Sequence, residues 1–184
     1  MAVLEDQMRA AGLEVLGPVE RLSEWSGLIE HSHLLQDFTA AEADLLGASM
    51  LRVRAQPGQA LINEGDTADW LMLLLSGTVD VGKRAEGAQD AAEHRDTTRL
   101  AVLPAGSSLG EMSMFDGEPR YASCWALSVV EAAVLSRAAV GRLIAAHPEV
   151  GAKLLVKLTQ LLAQRLRNTS NQLVRVLRSD ARRS

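Results

Sequence analysis

Aromatic side chains are scarce in this chain: three Trp, two Phe and one Tyr make up 3% of its 184 residues. Any core must therefore be aliphatic and alanine-rich. Cysteine is nearly absent, and a single thiol, Cys124, rules out an intrachain disulfide. It falls within a predicted strand, where a buried structural thiol is the expected state. Long hydrophobic runs are missing too: Leu71–Leu75 is only five residues, far short of a membrane span. The first 30 residues lack a charged segment followed by an apolar one, so no secretory signal is read there. These absences predict a cytoplasmic protein with no membrane partner. Excess positive charge is lacking as well. The net charge of −4 gives no support to bulk nucleic-acid binding.

Catalytic signatures are equally thin. His31 and His33 are two apart, do not share a helix face, and have no Cys or third His nearby in sequence. No P-loop and no set of phosphodiesterase metal ligands occurs. Glu118 beside Pro119 reads as an exposed turn residue, so Glu111 and Glu118 do not make an acid–base pair. The chain is not expected to be an enzyme, and no catalytic residue, metal site or cofactor is predicted.

What is present is ordinary in bulk: 47% hydrophobic and 23% charged residues suit a soluble globular protein. The length fits one domain with extensions. The charge is unevenly placed. From Arg165 onward there are six arginines against Asp180, a tail of +5 that leaves −9 for the rest. Such a tail reads first as the solvated face of a helix whose cations complement its C-terminal dipole end.

The periodicity divides the chain into three. Residues 1–33 look like an amphipathic helical extension broken near Gly17-Pro18, with Leu22, Trp25, Leu28 and Ile29 at helical spacing. Thr39 and Glu42 form a capping-box pattern that starts a helix through about Ala48. Short apolar runs then predict strands at 51–55, 59–63, 70–75, 78–82, 99–103, 121–127 and 129–135. Pro57-Gly58, Gly65-Asp66, Ser76-Gly77, Pro104-Ala105-Gly106 and Asp116-Gly117 punctuate them. Strands at this spacing suggest an antiparallel barrel or jelly roll. Residues 83–98 lack periodicity and read as a mobile hairpin loop. Ser136 caps a helix over 137–146, and Pro148 opens a long last helix running to about Leu177. The stripe Leu155, Leu158, Leu162, Leu166, Thr169, Leu173 and Val176 alternates intervals of three and four. A helix of this length outruns the barrel, so the stripe predicts a parallel homodimer.

The most informative segment is 110–126, Gly110-Glu111-Met112-Ser113-Met114-Phe115-Asp116-Gly117-Glu118-Pro119-Arg120-Tyr121-Ala122-Ser123-Cys124-Trp125-Ala126. An isolated Glu and Arg nine apart would read as solvated loop charges. Here a glycine and a carboxylate open a short apolar segment before the arginine, which suits a ligand with a phosphate and a sugar hydroxyl. Arginine grips two phosphate oxygens in a planar fork, and backbone N–H groups at a helix start attract an anion. A fixed carboxylate accepts from a ribose hydroxyl.

This segment resembles the phosphate-binding cassette of cyclic-nucleotide-binding domains. Gly110, Glu111, Met112, Ser113, Arg120, Ala122 and Ser123 match, while Tyr121 stands where the family has a small residue. The runs Leu34-Leu35-x-x-Phe38, Gly58-Gln59-Ala60-Leu61-Ile62-Asn63-Glu64-Gly65-Asp66 and Leu75-Ser76-Gly77-Thr78-Val79 look like the family's first half, extending the resemblance over about residues 34–170.

The resemblance implies a mainly β fold, an antiparallel β-roll or jelly roll over residues 34–146, with N-terminal helices and a long C-terminal helix over 147–184. It implies a cyclic purine nucleotide as ligand, cyclic AMP first. Arg120 would neutralise the cyclic phosphate and Glu111 would hold the ribose 2′-hydroxyl. Backbone groups of Gly110, Met112, Ser113, Tyr121 and Ala122 would line phosphate and sugar. Arg165-Leu166-Arg167-Asn168-Thr169-Ser170 is similar to the segment with which bacterial catabolite-activator-like regulators cover the base. Thr169 would contact the purine, and Ser170 a ligand in the partner subunit.

Those regulators continue into a helix-turn-helix domain for which this sequence has no room. The expectation is a stand-alone sensor without specific DNA binding, homodimeric through its last helix and signalling to a separate protein. Two alternatives stand beside it: a degenerate dimeric scaffold that binds no mononucleotide, favoured by Tyr121, and a receptor for a cyclic dinucleotide such as cyclic di-GMP.

Overall fold

The computed structural model describes residues 2–84 and 97–180. The central part of the segment read as a mobile loop, 85–96, lies outside them. The flanking residues 83–84 and 97–98 are strand rather than loop.

Two antiparallel sheets form the roll. One has the order β1-β2-β9-β4-β7, made by β1 (Glu14–Pro18), β2 (Leu51–Ala55), β9 (Val130–Ser136), β4 (Trp70–Ser76) and β7 (Ser108–Leu109). The other has the order β3-β8-β5-β6, made by β3 (Ala60–Ile62), β8 (Ser123–Ala126), β5 (Thr78–Arg84) and β6 (Thr97–Pro104). All the strands predicted from sequence are present within a residue or two at most ends. The two-residue β7 carries too short a pattern to be read.

The five-residue run Leu71–Leu75 is explained by burial on both faces of β4. Leu71, Leu73 and Leu75 pack into a cluster with the helices, while Trp70, Met72 and Leu74 pack inside the roll. Side chains alternate across a strand, so a strand covered on both sides reads as a continuous apolar run. Strand β9 does the same, with Ala133 and Leu135 on the helix side and Val130, Ala132 and Val134 on the other.

The N-terminal extension departs from the helical expectation. Helix α1 (Ala2–Ala10) is followed by strand β1 and only a short helix, α2 (Leu28–His31). β1 pairs with β2, with a register irregularity between Val15 and Gly17. Pairing with the open edge of a sheet outweighs local helix spacing here. Gly17-Pro18, read as a helix break, instead forms the irregular end of an edge strand, where a residue without an N–H is tolerated. Leu4 and Met8 of α1 pack into the roll interior.

Helix α3 (Ala40–Gly47) begins with the predicted capping box: the Thr39 side chain accepts from the Glu42 N–H, and Glu42 accepts from the Thr39 N–H at 2.8 Å. Helices α4 (Glu111–Asp116), α5 (Arg137–Ala146) and α6 (Pro148–Asp180) complete the fold. Glu42 also ties α3 to α6, accepting from Lys153 Nζ at 2.6 and 2.7 Å. Asp37, at φ 75°, reinforces this junction: its carbonyl accepts from Lys153 at 3.1 Å and its carboxylate pairs with the buried Lys157.

Lys153 and the Thr39 N–H hold the Glu42 carboxyl down from 4.5 to about 2. A depressed carboxyl contributes stability that is fully present above its unfolded value and lost as pH falls through the folded one. Wild type should therefore be more stable than Glu42→Gln at neutral pH, and the difference should vanish near pH 2. Denaturant melts at a series of pH values check this; a pH-independent difference would contradict it.

Candidate functional site

Arg120 lies between α4 and β8, in a segment hung on the β3–β4 turn. Its N–H donates to the Asp66 carbonyl at 2.8 Å and its own carbonyl accepts from the Gly65 N–H at 2.9 Å. The side chain is only 3% exposed. Nη1 donates to the Gly110 carbonyl, Nη2 to the Trp70 carbonyl at 2.7 Å, and the guanidinium stacks 4.2 Å from the centre of the Trp70 ring. Gly110 is left-handed, at φ 78°, and a Cβ there would collide with Arg120 Nη1. Glycine is required both by the backbone and by the seat of the arginine.

Arg120 is a buried cation with no carboxylate ion-pair partner among the described residues. Its Nε is buried without a hydrogen-bond partner. Burial lowers its pKa from the ordinary value, opposed by the field of the Glu111, Asp66 and Asp69 carboxylates; a guanidinium nevertheless stays charged.

Glu111, the first residue of α4, is fully buried. Oε1 pairs with Arg165 Nη1 of α6, whose Nη2 donates to the Ser108 carbonyl at 2.6 Å. Oε2 is buried without a partner. The site thus holds an unpaired carboxylate oxygen and an unpaired guanidinium N–H, both desolvated. Such groups are costly unless something satisfies them.

Gly110, Glu111, Met112, Ser113, Arg120, Tyr121 and Ala122 all line one cavity, completed by apolar side chains such as Ile62, Leu103 and Leu109, and by Arg165. The cavity is partly open to solvent. Cys124 is at its base, and burial pushes the thiol up to about 12, so it stays protonated. Tyr121, whose ring bears on whether a mononucleotide fits, stands at the rim. It is 57% exposed, and its ring lies 4.0 Å beneath Lys83 Nζ.

The residues expected from the last helix are placed differently. Thr169 and Ser170 are exposed on α6, one turn beyond Arg165, and do not line the cavity within this chain. Arg165, counted with the solvated basic tail, instead reaches into the site. The available signal was its position, one helical turn before Thr169 and so on the same face.

The model of the family described as "Cyclic nucleotide-binding domain" matches residues 52–147. The CRP-like cAMP-activated global transcriptional regulator of Mycobacterium tuberculosis is 32% identical over 123 residues, 67% of this chain and 50% of the regulator. The cAMP-dependent protein kinase regulatory subunit of Yarrowia lipolytica is 27% identical over 128 residues, 70% of this chain and 32% of the subunit. The chain thus spans about half the length of the first relative and a third of the second. Among solved structures, a cyclic nucleotide-binding domain from Methylobacillus flagellatus is similar at a TM-score of 0.75 and 34% identity, covering 91% of this chain and 90% of its own. With a matched β-roll, a buried arginine and a buried glutamate around one cavity, this chain belongs to the cyclic nucleotide-binding domain family.

Proposed function

We propose that the protein is a cyclic AMP sensor that reports occupancy through α6. The observation that carries this reading is the pair of buried charged residues that line one cavity: Arg120, a cation without a counter-ion, and Glu111, whose Oε2 has no partner. An anionic phosphate supplies the missing charge for Arg120, and a ribose hydroxyl donates to the free oxygen of Glu111. A single small molecule carrying both is a cyclic nucleotide. Two relatives that share this region bear cyclic AMP in their names, which favours the adenine form. Tyr121 leans outward at the rim, so it does not argue against a mononucleotide.

Arg165 couples the site to the helix. With Oε1 engaged by Arg165 and Oε2 open, Glu111 can hold helix and ribose at once. Beyond Arg165 the stripe turns outward: Leu166 is 69% exposed and Leu173 58%. The ten residues from Leu166 to Arg175, roughly 15 Å of helix, are all exposed. In this reading the exposed stripe meets the same stripe of a second copy. That dimer brings the partner's Thr169 and Ser170 within range of the site, and a downstream protein reads the pair.

Calorimetry with cyclic AMP should give saturable binding, and Arg120→Ala should weaken it by about 30- to 1,000-fold through loss of about 2–4 kcal/mol. A folded wild type that gives no heat would remove the reading. Leu166→Asp places a charge in the proposed seam, and light scattering should report a monomer that still folds. Arg165→Ala leaves the buried Glu111 carboxylate without its cation. It should lower ligand-free stability by about 1–3 kcal/mol, less than for a fully buried pair because Arg165 is 39% exposed. Adding Glu111→Gln should recover part of that loss in denaturant melts, whereas strict additivity would mean that the two residues do not interact.

A further inference from the structure

Lys83 of β5 is outside the set of residues named by the cassette pattern, yet it grips the segment that carries Arg120. Its Nζ donates to the Tyr121 carbonyl at 2.9 Å and to Glu64 Oε1 at 3.2 Å, and covers one face of the Tyr121 ring. Glu64 is itself fixed. Its Oε2 accepts from the Arg84 N–H at 2.8 Å, and its own N–H donates to Ser123 Oγ at 2.8 Å. Burial pulls the Glu64 carboxyl up, but the Arg84 N–H and the Lys83 ammonium outweigh it and hold it below its ordinary value. An ionised Glu64 therefore anchors the Lys83 ammonium at a defined place, and the ammonium anchors the Tyr121 carbonyl.

Pinning that carbonyl orients the next peptide group. In a planar trans peptide the C=O and the following N–H point in opposite directions. With the Tyr121 oxygen drawn towards β5, the Ala122 N–H is turned away from it. Ala122 lines the cavity beside Arg120, and its N–H has no hydrogen-bond partner among the described residues. Left alone, this segment between α4 and β8 has no ladder to set the orientation of that peptide, since β8 begins only at Ser123.

We propose that Lys83 is a positioning residue for the ligand. By holding the Tyr121 carbonyl, it aims the Ala122 N–H at one exocyclic oxygen of the cyclic phosphate, next to the Arg120 guanidinium. This rests on the cyclic-nucleotide reading above. The Tyr121 side chain is not needed for it, since the bond is to the backbone. Tyr121 serves as a cover that shields the ammonium, so a large residue is compatible with a working site at this position.

The test uses the full chain and three probes: cyclic AMP and its two phosphorothioate diastereomers, which differ in which exocyclic oxygen is replaced by sulfur. Lys83→Met should weaken cyclic AMP binding roughly tenfold, the worth of one well-placed hydrogen bond to a charged group. It should also change the ratio of affinities for the two diastereomers. Lys83→Arg, which can still donate to the carbonyl, should restore much of both. In the ligand-free protein, Lys83→Met should move the Ala122 amide resonance; Lys83→Leu takes its place if the methionine variant does not fold. Equal weakening of both diastereomers, or an unmoved Ala122 amide, would overturn the positioning role while leaving the cyclic-nucleotide reading intact. Wild type that binds none of the three probes would overturn both.

Discussion

The site is organised around a guanidinium almost withdrawn from solvent. Burying Arg120 is unfavourable by itself, and the fold offsets the cost only in part, with two carbonyls and the face of Trp70. Those carbonyls come from distant parts of the chain, β4 and the turn before α4, and the main chain of Arg120 is held by a third, the β3–β4 turn. Gly110 is fixed by the same demand, since no side chain fits between the backbone and Nη1. Strand order, turn glycine and aromatic wall therefore answer to one buried charge. Arg120 Nε and Glu111 Oε2, both on residues that line the cavity, are among the buried polar atoms left without a partner.

The second charge centre, Glu111, extends the site to the last helix. α6 is tied to the rest of the fold by a row of cations at helical spacing: Lys153 to Glu42, Lys157 to Asp37, and Arg165 to Glu111. The first two are fastened to the α3 entry, remote from the cavity. Only the third touches a group that lines it. The helix is thus anchored at one end independently of any ligand and held further along by a contact that shares its carboxylate with the cavity.

Much of this was legible from sequence. The capping box at Thr39 and Glu42 is local chemistry, complete within four residues, and it forms as read. The strands of the roll are legible in short apolar runs and turn glycines, and Gly110, Glu111, Arg120, Tyr121 and Ala122, singled out by the family resemblance, line one cavity. The misses share a cause. Glu14–Pro18 becomes a strand because β2 offers a free edge some forty residues away, and no local pattern records that partner. Arg165 was counted as a solvated tail residue because its counter-charge is 54 residues earlier in sequence. Lys83 escaped for the same reason: its partners, Glu64 and the Tyr121 carbonyl, are adjacent only once β5 is folded against the turn.

These contacts also bound what ligand binding can do to the helix. A ligand shifts a conformational equilibrium only by the difference in its affinity for the two states. Within one chain the described contact of α6 with the cavity is Arg165, so on the proposed reading this chain's own share of the coupling is the change in strength of the Arg165–Glu111 pair and its bond to Ser108 when the second carboxylate oxygen is occupied. A hydroxyl donating to Oε2 draws negative charge away from Oε1, weakening its hold on the arginine, while exclusion of water from the cavity strengthens the same ion pair. These two effects oppose each other, so the sign of the coupling depends on how far the ligand closes the cavity mouth beside Arg165. On the proposed reading, a ligand that seals the mouth would tighten α6 onto the roll. One that bonds Glu111 but leaves the mouth wet would loosen it.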